Sequence, residues 1–142
     1  MTLFFLVIDP LKGRLEWVRA GHDPAVIYTP ESDSFQELVG PGVALGVKAD
    51  ECYEVDQLQG LSRGQIILLG TDGIWEARNQ KGTRMGKDPI YQVLREHATE
   101  SAQDILQAIF DSLKDFQQGA KREDDITAVI VKIETPTVSE SN

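Results

Sequence analysis

Gln65-Ile66-Ile67-Leu68-Leu69-Gly70 runs straight into Thr71-Asp72-Gly73, and this stretch decides the fold. Six residues suit a strand, and continuous apolar character suits a strand buried on both faces. A buried strand that ends in an acidic turn places a carboxylate where rigid backbone meets water. A second acidic turn, Glu123-Asp124-Asp125, precedes another apolar stretch, Ile126-Thr127-Ala128-Val129-Ile130-Val131-Lys132-Ile133. If the two strands are antiparallel neighbours, the end of one meets the start of the other. Asp72, Asp124 and Asp125 then converge, and their mutual repulsion would be costly without a cation.

Working outward, the N-terminal part reads as strands. Leu3 to Ile8 is a continuous apolar run, expected to be covered on both faces. Asp9-Pro10-Leu11-Lys12-Gly13 is a turn cluster, and Arg14 to Ala20 alternates, so the two segments form a hairpin. A mature domain rarely begins on a fully buried central strand, so a preceding segment is expected. Ala25–Tyr28 and Phe35–Leu38 form a second hairpin around Pro30 to Ser34. Gly40-Pro41-Gly42 is a loop, and a further strand is expected over Tyr53–Leu58. Gly60-Leu61-Ser62-Arg63-Gly64 is the turn into the central strand.

Two helices follow the Thr-Asp-Gly turn. Asp88-Pro89 is a start signal, with Ile90, Val93, Leu94 and His97 on one face. Ser101 opens the second helix, with Asp104 in its first turn. Ile105, Ala108, Ile109, Leu113 and Phe116 form its apolar stripe, and Gly119 ends it. Residues 135–142 are polar and expected to be a disordered tail after one domain over residues 1–134. Strands and helices occur in separate runs, so the fold class is α+β and not a doubly wound parallel sheet.

Composition narrows the function. The 142 residues suit one domain, and a net charge of −9 without any basic cluster excludes a nucleic-acid surface. Cys52 is the only cysteine, which fits a reducing compartment and a cytoplasmic location. No apolar run reaches the roughly 20 residues of a membrane span. The apolar start lacks a basic segment and is stopped by Asp9-Pro10, so it is not expected to act as a signal peptide.

Hard cations such as Mg²⁺ or Mn²⁺ take oxygen ligands, which the two acidic turns offer. Thr-Asp-Gly is equally an ordinary turn, and Asp-Asp before a strand is equally plain loop chemistry. His22, in Ala20-Gly21-His22-Asp23-Pro24, reads as an acid, a phosphate contact, a metal ligand or a structural histidine bonding loop backbone. Trp17, Trp75 and Phe116 read as packing residues.

Taken in order, Ala20-Gly21-His22-Asp23-Pro24, Leu45-Gly46-Val47, Gly64 and the strand into Thr71-Asp72-Gly73-Ile74-Trp75-Glu76-Ala77-Arg78-Asn79, Met85-Gly86 and Glu123-Asp124-Asp125-Ile126-Thr127 resemble one family. It is the RsbU/SpoIIE branch of the metal-dependent type 2C serine/threonine phosphatases. The likeness runs from about Leu3 to Ile133. It implies an α/β/β/α sandwich of two antiparallel sheets with helices outside. It also implies a binuclear Mn²⁺ or Mg²⁺ centre and hydrolysis of phosphoserine or phosphothreonine by metal-activated water. The substrate would be a phosphorylated regulatory protein such as an anti-sigma-factor antagonist.

Carried over by position, Asp72 and Asp124 would be metal ligands and Asp125 an outer or alternate ligand. Gly73 would permit the tight turn behind Asp72, and His22 matches a family motif without an assigned role. The family's first acidic motif, an Asp beside a glycine turn that bridges both metals, has no counterpart here. Asp9 is followed by Pro10 in a hairpin turn and does not replace it. The chain is therefore expected to be an N-terminally incomplete domain with one cation or none and weak activity alone. An N-terminal sensor domain is expected in the full-length protein. The alternative is a non-catalytic interaction module on the same fold, with a homodimer as one form.

Overall fold

The computed structural model describes residues 1–120 and 125–134. Its strands are β1 (Leu3–Asp9), β2 (Arg14–Ala20), β3 (Ala25–Thr29), β4 (Ser34–Leu38), β5 (Asp56–Gln59) and β6 (Ile66–Gly70). Helices α1 (Asp88–Glu96) and α2 (Ala102–Gln117) follow, and then β7 (Ala128–Lys132). The predicted tail at 135–142 lies outside the described residues.

The strands form two antiparallel sheets, β1-β2-β5 and β4-β3-β6-β7. Period-two alternation lets β6 serve two cores at once. Ile67 and Leu69 face the first sheet, among Leu15, Trp17, Ala25, Ile27 and Leu38. Ile66 and Leu68 face the helices, among Ile90, Leu94, Ile105, Ile109 and Leu113. The layers are thus sheet, sheet and helices, three of the four layers of the α/β/β/α sandwich that the resemblance implies; among the described residues no helix covers the β1-β2-β5 sheet. The α+β class holds.

Helix signals act where they were read. Pro89 stands in the first turn of α1, and the Ser101 hydroxyl accepts the Asp104 N–H at 3.2 Å at the start of α2. Gln118 caps α2 in the left-handed region, its N–H reaching the Lys114 carbonyl, and Gly119 follows at C′ with φ 81°. The strand expected over Tyr53–Leu58 begins later, because only Asp56 to Gln59 finds partners on β2.

β1 departs from expectation. Phe4, Leu6 and Ile8 pack between the sheets, whereas Leu3, Phe5 and Val7 are exposed on the other face. Among the described residues β1 is an edge strand of its sheet, paired only with β2. A continuous apolar run shows that both faces are apolar, not that both are covered. Among the described residues, no helix is long and apolar enough to cross a membrane.

Candidate metal centre

β6 lies between β3 and β7, and Ile66, Ile67 and Leu68 are fully buried. Its pairing with β7 runs from Ile66↔Lys132 to Gly70↔Ala128. The C-terminal end of β6 therefore meets the N-terminal end of β7, the juxtaposition that convergence of the acidic turns requires.

Thr71 ties the junction together. Its N–H donates to the Thr127 carbonyl at 3.0 Å. Its hydroxyl donates to the Asp125 carbonyl at 3.3 Å and accepts the Thr127 N–H at 3.1 Å. The following turn is closed by the Ile74 N–H on the Thr71 carbonyl at 3.1 Å and the Glu76 N–H on the Asp72 carbonyl at 2.8 Å. Asp72 thus has a fixed backbone and an exposed side chain.

Gly73 is glycine for a reason other than turn geometry. Its φ is not positive. A Cβ there would stand 2.4 Å from the Asp125 carbonyl oxygen, so the missing side chain lets the Asp125 segment cross directly behind Asp72. Gly70 works the same way, since its Cβ would lie 2.5 Å from Ile74 Cδ1 and 3.1 Å from Trp75 Cη2.

A cleft of about 80 Å³ opens at this end of the sandwich, lined by Thr2, Gly21, His22, Asp23, Thr71 and Asp72. His22 and Asp72, far apart in sequence, therefore share one site. His22 Nδ1 donates to the Asp23 carbonyl at 2.8 Å, and its ring meets Phe4 edge-on at 6.3 Å. The Arg19 guanidinium holds the same loop through the carbonyls of His22 and Gly40.

Sequence alone assigns no role to Asp23 and makes Trp75 a packing residue. The Trp75 indole N–H donates to Asp23 Oδ2 at 2.7 Å, across 52 residues of sequence. No local signal announces such a pair; only the folding of the β2–β3 loop over the end of β6 creates it.

Asp124 lies outside the described residues. Asp125 and Asp72 flank the same junction, both side chains exposed. Among the described residues, no three His, Cys, Asp or Glu side chains stand close enough to hold a cation. The donors that are present are oxygens at a wet, rigid strand end, which fits a hard divalent cation.

Comparison with known proteins agrees with this architecture. The family model described as Stage II sporulation protein E (SpoIIE) matches residues 1–134. The phosphoserine phosphatase RsbU of Bacillus subtilis (strain 168) is 30% identical over 136 residues, covering 93% of this chain and 38% of RsbU. The SiaA-PP2C domain of Pseudomonas aeruginosa shares the fold with a TM-score of 0.79 at 22% identity, over 94% of this chain and 52% of that one. The phosphatase domain of SpoIIE from Bacillus subtilis, solved with a fragment of its regulatory domain, gives 0.77 at 21% identity, over 94% of this chain and 38% of that one. The chain thus spans about half or less of the length of each of these proteins. The match of the family model over residues 1–134 shows that the chain belongs to the SpoIIE family.

Proposed function

We propose that residues 1–134 form the C-terminal part of a type 2C phosphatase domain that hydrolyses phosphoserine or phosphothreonine on a regulatory protein. An anti-sigma-factor antagonist is the substrate class that the family likeness suggests. The observation that carries this reading is the β6–β7 junction, where the Asp72 turn and the Asp125 segment are pinned together by Thr71 and Gly73.

Asp72, Asp124 and Asp125 would hold Mn²⁺ or Mg²⁺. When bound, such a cation supplies Lewis acidity toward water and the phosphoryl oxygens. The chain's own residues do the positioning. Thr71 fixes the junction, Gly73 allows its close approach, and Arg19 holds the His22 loop over the cleft. The bridging carboxylate has no counterpart in this sequence, so the chain alone is expected to bind one cation weakly or none and to show little activity. In the longer parent, a sensor domain would precede this one.

The test is Mn²⁺-dependent hydrolysis of an aryl phosphate by an N-terminally extended protein. Asp72→Asn should lower the rate at least about 100-fold, since losing even an outer-shell partner of a metal costs roughly 10–100-fold. An inactive extended protein, with or without Mn²⁺, would sink the reading.

The exposed Leu3, Phe5 and Val7 favour a second reading, a non-catalytic module that dimerises through this face. Sedimentation as a clean monomer at high concentration counts against it.

A further inference from the structure

Trp75 is only partly buried, yet four contacts hold it. Gly70 leaves room beneath the ring, where a Cβ would come within 3.2 Å of Cζ3. Lys87 Nζ lies 5.4 Å from the ring centroid on its face, and Lys87 is itself ion-paired to Glu37. The Trp75 carbonyl accepts the Gly86 N–H at 2.9 Å. Its indole N–H is anchored by Asp23 at 2.7 Å.

Trp75 also belongs to the turn that carries Asp72. The two bonds closing that turn, from the Ile74 and Glu76 amides, bracket Trp75 in sequence. Trp75 is thus tied to Asp23 through its indole and to the Asp72 turn through its backbone. Asp23 itself lines the cleft with Asp72, so its carboxylate has two conceivable uses: ligand or anchor. One of its oxygens is committed to Trp75, and no three ligating groups gather around it among the described residues. A hydrogen bond to a charged acceptor in a part-buried place is strong enough to hold an aromatic ring in register.

We propose that Asp23 is a positioning residue that fixes, through Trp75, the turn presenting Asp72 at the cleft. The functional consequence rests on reading Asp72 as a cation ligand; the positioning itself does not.

Hydrogen exchange of the full chain, followed by NMR without metal, reads the Ile74 and Glu76 amides directly. Asp23→Ala and Trp75→Phe should each speed exchange at both amides roughly tenfold, as expected for one lost charge-assisted bond. The double variant should do no more than either single one, because both remove the same contact. Asp23→Asn should restore slow exchange, since its amide oxygen still accepts the indole N–H although the charge is gone. The Ile67 amide in the buried strand serves as the reference for intact folding. Unchanged exchange at Ile74 and Glu76 in Asp23→Ala, or fully additive effects in the double variant, would overturn the proposal.

If an alanine or phenylalanine variant fails to fold, indole N–H exchange of Trp75 in Asp23→Asn decides. Protection close to that of the parent chain supports the anchor, and free exchange overturns it. A separate Mn²⁺ titration of Asp72→Asn tests the metal reading. Affinity equal to the parent's would remove that reading, and the exchange result would still decide the role of Asp23.

Discussion

Replacing Gly73 with alanine tests the junction at its tightest point. The added Cβ would stand 2.4 Å from the Asp125 carbonyl oxygen and 3.4 Å from Ile126 Cγ1. Ordinary contact needs roughly 1 Å more than the shorter of these, and the obstacle is backbone rather than a flexible side-chain tip. Overpacking of this kind costs about 1–3 kcal/mol. Pushing Asp125 away also stretches the Thr71 hydroxyl bonds to Asp125 and Thr127, now 3.3 and 3.1 Å. The combined loss should be about 2–3 kcal/mol, in the upper part of that range. For a chain of 142 residues this lowers the thermal midpoint by roughly 6–9 °C. Differential scanning calorimetry at neutral pH measures it. A midpoint within about 1 °C of the parent's would show that the Asp125 segment does not cross behind Asp72, and the junction argument would fail.

Two further outcomes follow from the same structure. Ile67 is fully buried between the sheets, so Ile67→Ala should cost about 2–5 kcal/mol in urea unfolding; a loss under about 1 kcal/mol would mean that the sheets are not packed through β6. Arg95 donates to Asp33 Oδ1 at 2.7 Å, and this bond holds the Asp33 carboxyl below its usual range. A pKa lowered by folding gives stability that is present above the unfolded value, about 3.9, and is lost as pH falls through the folded one. Arg95→Gln should therefore flatten the acid dependence of the urea midpoint below about pH 4, by a small amount because the pair is exposed. An unchanged acid slope would refute it. The variant's loss of the guanidinium stacked 4.8 Å over Phe35 lowers stability equally at every pH, so the slope isolates the ion pair.

Much of this architecture could be read before any coordinates. Ile66 to Leu69 announced a buried strand by unbroken apolar character, and the structure buries both its faces. The Ser101 cap and the Ile105, Ile109 and Leu113 stripe announced α2 in the same way. Local chemistry sufficed there because capping and periodicity act within a few residues. It did not suffice for β1, where apolar residues on both faces could not say which face meets a partner.

Sequence alone makes Gly73 a turn residue, yet close approach explains it, and only the partner segment reveals that. Sequence alone offers His22 four roles, and its Nδ1 bond to the Asp23 carbonyl is the loop-backbone contact that the structural one requires.

By itself, then, the sequence determined the strand and helix order, the α+β class and the two acidic turns, because these follow from short-range periodicity and turn chemistry. The tertiary structure alone decided that the Asp72 turn meets the Asp125 segment, that His22 and Asp23 share their cleft, and that Asp23 grips Trp75. Those contacts join residues about fifty positions apart. Only the stacking of two sheets through a shared core brings such residues to the same end of the molecule.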